Sequence, residues 1–218
     1  GFLFVGESSS HAGNNKSEDP RGVADYWLLK LDENGSVEWE KTYGGYEGDT
    51  AYSAIELHDG DFIFTGFSRS RAFHDKSENT RKYPNDDFGG DYWLIRTNSL
   101  GAKVWDKTFG GSRDDTPSLI LKSQKGEYIS VGSSYSTADF DKTAPHKGMW
   151  LVAVDENGSK LWDKSYGDLN GGTAKSLIQL DDGSYLLLGR VWGKDAYNDK
   201  SEALKGVWLL KLDSDGTK

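Results

Sequence analysis

Apolar residues along the chain come in short runs, separated by polar, glycine-rich punctuation. In one stretch, Ala51–Leu57, Phe62–Phe67, Tyr92–Thr97 and Val104–Phe109 are rich in aromatic or β-branched residues and are bounded by Gly, Asp and Asn. Runs of that length and composition predict strands. No segment of ten or more residues carries helical periodicity, so the pattern predicts an all-β chain.

The pattern returns. Asp25-Tyr26-Trp27-Leu28-Leu29-Lys30-Leu31-Asp32-Glu33-Asn34-Gly35 is echoed by Asp91 to Gly101, by Trp150 to Gly158 and by Trp208 to Gly216. A second signature follows the first three copies, at Trp39 to Gly45, Trp105 to Gly111 and Trp162 to Gly167. A third, an aromatic-rich strand closing on Gly, runs over Asp59–Gly66, Gly126–Gly132 and Gly183–Gly189, and its tail opens the chain as Gly1-Phe2-Leu3-Phe4-Val5-Gly6. Trp27, Trp93, Trp150 and Trp208 stand 66, 57 and 58 residues apart. A fixed period of this kind marks a repeat architecture.

Four short antiparallel strands in each unit predict a β-propeller of four-stranded blades; a β-solenoid with broad rungs is the alternative. The units lie at about 1–50, 51–116, 117–173 and 174–218, in one segment spanning 1–218. They hold three, four, four and three strands, so about 3.5 blades of a partial propeller are expected. The first and last blades should then present open edges to further blades of the same polypeptide or to a partner chain. Trp27, Trp39, Trp93, Trp105, Trp150, Trp162 and Trp208 are the structural positions of the repeat, and Trp39, Trp105 and Trp162 are expected to be mostly buried at equivalent places.

In a meander, successive connections alternate between the two ends of the strands. The tight turns, such as Asp59-Gly60 and Asp32-Glu33-Asn34-Gly35, share one end, and the long connections, such as Arg69 to Gly90, share the other. Long loops on a rigid scaffold are where binding residues gather. These loops repeat Asn15-Lys16-Ser17-Glu18, Asp75-Lys76-Ser77-Glu78, Asp141-Lys142-Thr143 and Asp199-Lys200-Ser201-Glu202. Two readings stay open. One is a local turn, its lysine paired with an acid or a carbonyl. The other is a repeated ligand site on the long-loop face, with Asp75, Glu78, Asp86, Asp87, Asp199 and Glu202 as its binding residues.

Asn85, Asp86, Asp87 and Asp91, with Gly89 and Gly90 between them, make an oxygen-rich loop of the kind that can wrap calcium, though without the spacing of a known calcium loop. The Gly-Gly-x-x-x-Asp stretches from Gly44 to Asp49 and from Gly110 to Asp115 are read as caps on the start of an innermost strand; Gly172 replaces the acid in the third copy. His11, His58, His74 and His146 are scattered without metal-ligand spacing. There is no nucleophile turn and no phosphate loop. Carboxylates are too numerous to single out a glycosidase pair. No catalytic residue is expected, and no cofactor apart from that calcium.

Charge and composition narrow the partners. Lys and Arg number 26 against 35 Asp and Glu, a net charge of −9. This is not the footprint of a nucleic-acid binder, nor does it favour an anionic membrane. No run of apolar residues is long enough to insert as a helix. The absence of Cys excludes disulfides, thiolate metal sites and a cysteine nucleophile.

The repeated Tyr-Trp-Leu-Leu-Lys-Leu-Asp-x-Asn-Gly-x-x-x-Trp-x-Lys-Thr-Tyr-Gly-Gly, with Ala51-Tyr52-Ser53-Ala54-Ile55 and Asp59-Gly60-Asp61-Phe62-Ile63-Phe64-Thr65-Gly66, resembles the propeller-like repeats common in secreted, often multidomain proteins of Bacteroidetes and some archaea. The resemblance implies export to an extracellular or cell-surface location, with a signal peptide and often a C-terminal sorting domain. The Asp-x-Asn-Gly-x-x-x-Trp element is also similar to the tryptophan-docking motif of quinone propellers, but it is one residue shorter, and the adjacent cysteine pair of many quinoprotein alcohol dehydrogenases is missing. The expected function is therefore a non-enzymatic binding or scaffold module that holds a protein or glycan on its long-loop face. The alternative is one part of a secreted hydrolase or lyase acting on a polysaccharide, with its catalytic residues outside these 218 residues.

Overall fold

A computed structural model describes residues 1–13, 15–82, 89–167, 171–192 and 206–218. Fourteen strands among the described residues make four antiparallel sheets. Sheet I holds β1 (Phe2–Ser8), β2 (Asp25–Leu31) and β3 (Val37–Tyr43). Sheet II holds β4 (Asp49–Glu56), β5 (Phe62–Ser68), β6 (Asp91–Thr97) and β7 (Lys103–Phe109). Sheet III holds β8 (Asp115–Lys122), β9 (Tyr128–Ser134), β10 (Gly148–Val154) and β11 (Lys160–Tyr166). Sheet IV holds β12 (Gly172–Gln179), β13 (Tyr185–Val191) and β14 (Gly206–Leu212). Each is a meander in which only consecutive strands pair, and the all-β class and the strand count agree with the sequence pattern.

Local chemistry sets the registers. The tight turns close on Gly35, Gly60, Gly101, Gly126, Gly158, Gly183 and Gly216, all with φ between 77° and 86°. That left-handed conformation costs a side chain energy and glycine almost nothing. In the β2–β3 turn the Gly35 N–H donates to Asp32 O (3.2 Å), and Asp32 Oδ1 accepts from the N–H groups of Asn34 and Ser36, both at 2.8 Å.

Packing between sheets follows one rule, set by the alternation of side chains along a strand. Trp93 and Ile95 of β6 turn toward sheet I and join Tyr26 and Leu28; Tyr92 and Leu94 turn toward sheet III and join Trp150 and Val152. The Tyr26 ring lies 4.8 Å from that of Trp93, and its hydroxyl donates to Trp93 O at 3.0 Å. Tyr92 repeats both contacts on Trp150, at 4.9 Å and 3.1 Å. Each such ring needs a hollow, and a glycine of the next sheet makes it. A β-carbon on Gly66 would overlap the Tyr26 hydroxyl, one on Gly132 the Tyr92 hydroxyl, and one on Gly189 the Met149 sulfur.

Trp93 and Trp150 have no exposed surface. The second tryptophan of each unit is as expected: Trp39, Trp105 and Trp162 hold equivalent places, third in β3, β7 and β11, and are mostly buried against the cores, with part of each ring at the surface. That last part has a polar cause. Trp39 and Trp105 donate their indole N–H groups to the turn carbonyls of Ser99 and Glu156 in the next sheet, both at 3.0 Å, which keeps the rings at the rim.

Candidate functional site

The long connections β1–β2, β5–β6 and β9–β10 lie at one end of the sheets, with the crossings β3–β4, β7–β8 and β11–β12. The repeated lysine is the hub of each long connection. Lys16, Lys76 and Lys142 are 7%, 2% and 1% exposed. Lys16 Nζ donates to Ser10 O (2.9 Å) and Glu18 O (2.8 Å), and Lys142 Nζ to Ala144 O (2.6 Å) and His146 O (2.8 Å). Lys76 Nζ donates to Thr108 Oγ1 and lies 5.1 Å from the Trp93 ring; Lys142 lies 5.6 Å from Trp150. Burial pulls both ammonium groups down to about 8, against the attraction of Asp49 and Asp91 for Lys76 and of Asp115 and Asp163 for Lys142. Lys16 and Lys142 follow the local-turn reading, while Lys76 instead ties its loop to the Thr108 hydroxyl of β7. Lys200 lies outside the described residues.

A second acid anchors the same loops. Asp106 Oδ2 accepts from the Ser77 N–H and the Trp93 indole, both at 2.9 Å, while Lys103 pairs with Oδ1 at 2.8 Å. Glu40 does the same for Ser17 and Trp27, and Asp163 for Thr143 and Trp150. Burial opposes ionisation of Asp106 and Asp163, yet these donors outweigh it and hold both below the usual carboxylate range.

The loops are also tied from sheet to sheet. Arg21 Nε meets Asp75 Oδ2 at 3.0 Å, and Arg81 Nε meets Asp141 Oδ2 at 2.6 Å. Glu78 takes Arg81 at 2.9 Å and the Thr108 N–H at 3.2 Å, as Glu18 takes Arg21 and the Thr42 N–H. Asp75 and Glu78, two of the binding residues expected from the sequence, therefore sit inside this framework. Asn85, Asp86, Asp87, Asp199 and Glu202 lie outside the described residues, so Asp91 alone of the calcium set is placed.

Asp91 opens β6 and is buried; it accepts from the Arg81 N–H. Burial raises it to about 8, with repulsion from Asp115 adding to the shift. Asp115 is itself raised to about 7 by burial, against the hydroxyls of Ser134 and Ser136 and the Gly111 N–H. The Gly-Gly-x-x-x-Asp stretches are closed caps. Asp49 Oδ2 accepts from Gly45 N (2.8 Å) and Ser70 Oγ (2.9 Å), and Asp115 Oδ2 from Gly111 N (2.7 Å) and Ser136 Oγ (3.0 Å). The first glycine of each pair leaves room for a neighbouring carboxylate, since a β-carbon on Gly44 would overlap Asp25 and one on Gly110 would overlap Asp91. In the third unit Gly148 replaces that acid, and its backbone closes directly on Gly167. Among the described residues no three His, Asp or Glu side chains gather as metal ligands.

What the polar framework displays is aromatic. Phe73 and Phe140 are 54% and 53% exposed at the tips of the β5–β6 and β9–β10 loops, and Tyr46, in the β3–β4 crossing, is 72% exposed. His74 and Phe140, each just before the loop aspartate, have left-handed φ of 53° and 46°. The Phe73 and His74 rings stand edge to face at 4.2 Å. Tyr135 stacks on Trp192 at 6.0 Å with 13° between the planes. Sequence reasoning missed these residues. The signal was a lone aromatic before Asp-Lys-Ser/Thr in an otherwise polar loop, overshadowed by the more regular lysine motif.

No protein-family model matches this chain, and no curated protein matches it significantly. What stands established is the class: an all-β protein of four antiparallel sheets with a repeat-like architecture.

Proposed function

We propose that the chain is a β-propeller segment serving as a non-enzymatic binding or scaffold module, outside the cell or on its surface, that holds a protein or glycan at its long-loop end. The propeller reading draws support from four successive meander sheets, in which β4 packs on β1 and β2, β8 on β4 to β6, and β12 on β8 to β10. The location rests on the sequence resemblance alone. One observation carries the binding reading: a repeated framework of ion pairs and buried lysines fixes the described long loops, while they display exposed rings, with His74 and Phe140 in left-handed backbone. Strained backbone concentrates where a surface is built for use. Aromatic rings on rigid supports offer large contact area at small entropic cost. Asp75 and Glu78 act in this reading by positioning the loops.

A glycan and peptide array probed with the chain and with a Tyr46→Ala/Phe73→Ala/Phe140→Ala variant tests it. Binding by the parent that the folded variant loses supports the proposal. Binding that survives all three changes, or none by the parent, contradicts it.

A further inference from the structure

One stretch of the long-loop end presents charge of the opposite sign to the chain. Where the β5–β6 loop leaves β5, Arg69, Arg71, Ala72, Phe73 and His74 are all exposed, and only Ser70 among them is buried. Neither of these arginines has an ion pair among the described residues, whereas Arg21, Arg81 and Arg96 each have two. The Arg69 guanidinium lies 5.5 Å from the Phe67 ring. Of the described acids in this loop and in the β3–β4 crossing beside it, Asp75 and Glu78 are held by Arg21 and Arg81, and Glu47 is half-buried. A chain of net charge −9 therefore turns two unpaired cations outward at this place.

The backbone under these side chains is fixed. Ser70 Oγ accepts from the Glu47 N–H and donates to Asp49 Oδ2, both at 2.9 Å, which joins the loop to the crossing. The Ala72 N–H donates to Asn79 Oδ1 at 2.9 Å, and the Lys76 N–H to Phe73 O at 3.1 Å. Gly45 has no room for a β-carbon because Ser70 and the Arg71 carbonyl close on it, so its neighbour Tyr46 stands at the same junction. The fold does not need the arginines. In the β9–β10 loop Tyr135 and Thr137 take their places, and Ser136 still accepts from the Arg113 N–H and donates to Asp115 Oδ2, both at 3.0 Å.

We infer that this junction binds an acidic polysaccharide, with the carboxylates of its uronic acid residues on Arg69 and Arg71 and the apolar faces of its sugar rings on Phe73 and Tyr46. A guanidinium fork matches a carboxylate through two parallel hydrogen bonds. An aromatic ring offers a broad apolar surface to the flat face of a sugar ring. An acidic peptide would satisfy the arginines and not the rings; a neutral glycan would satisfy the rings and not the arginines. The inference rests on the ligand-binding reading and narrows it to a charged glycan.

Calorimetric titration of the chain with oligogalacturonate and oligomannuronate, with the same oligomers reduced at their carboxyl groups to neutral sugars, and with oligoglutamate tests it. At least one uronate should bind, and its reduced form and oligoglutamate should bind at least about tenfold more weakly. Arg69→Gln and Arg71→Gln, both at exposed sites, should each weaken the uronate about tenfold while the variants stay folded. Lys125→Gln, which removes an exposed cation at the tight-turn end, should leave its affinity unchanged. Equal affinity for the reduced oligomer or for oligoglutamate overturns the inference and leaves the ligand-binding reading standing. So does an equal loss in Lys125→Gln. Binding of neither uronate also overturns it, and the ligand-binding reading falls too only if the array finds no ligand that depends on Tyr46, Phe73 and Phe140.

Discussion

Glycine shows most clearly what each residue of the repeat does. Gly66 and Gly132 are hollows for tyrosine, so Gly66→Ala should destabilise by about 1–3 kcal/mol through overpacking. Gly6→Ala, at the equivalent but empty position, should leave stability unchanged or raise it by up to about 1 kcal/mol. Denaturant unfolding of the pair of variants decides this; equal losses would mean that the hollow at Gly6 is not open. The inverse case is the left-handed backbone of His74 and Phe140. Replacing either with Gly should stabilise by about 1 kcal/mol, and a loss on unfolding would show that the ring itself holds the loop. The titration of buried groups is also a residue-scale matter. Asp91 and Asp115 are raised in the folded chain, so the stability they contribute is present below about pH 4 and lost as pH rises to about 8. Lys76 and Lys142 are lowered, so theirs is lost as pH falls through about 8. The melting temperature should therefore dip near pH 8, and Asp91→Asn should flatten its acid side. A dip unchanged in Asp91→Asn would assign it elsewhere.

Strands, turns and registers were legible in the sequence because the forces behind them are local. The left-handed glycines of Asp-x-Asn-Gly and Asp-Gly mark the turns, and the unbroken apolar run Tyr92-Trp93-Leu94-Ile95 marks a strand with two buried faces. The loops were legible only in part. Their repeated Lys-Ser/Thr gave away a shared turn, but the partners of that turn lie far along the chain. Asp106, which binds Ser77 and Trp93, looks in sequence like any surface acid beside a tryptophan. Asp75 and Glu78 looked like free ligands for the same reason, since Arg21 and Thr108 meet them only in three dimensions. The long loops are therefore elements of the fold as much as the strands are. Asp106→Ala would strand Lys103, the Ser77 N–H and the Trp93 indole together, and should cost about 3 kcal/mol or more by calorimetry. A change under about 1 kcal/mol would show the loop to be held by other means.

For the molecule as a whole, the sheets and the loop framework form one repeated design, and the aromatic tips are the part that varies over it. The framework reaches across sheet boundaries, as Asp75 N–H donates to Gly44 O and Asp141 N–H to Gly110 O, both at 3.1 Å. The account thus makes the long-loop end rigid before any ligand arrives. Site-resolved hydrogen exchange on the chain tests that claim most directly. The account predicts that the loop amides of Asp75, Ser77, Asp141 and Thr143, each bonded to an acceptor outside its own loop, exchange as slowly as those of β6 and β10. Exchange of these loop amides at the rate of open chain, with the strands still protected, would contradict it.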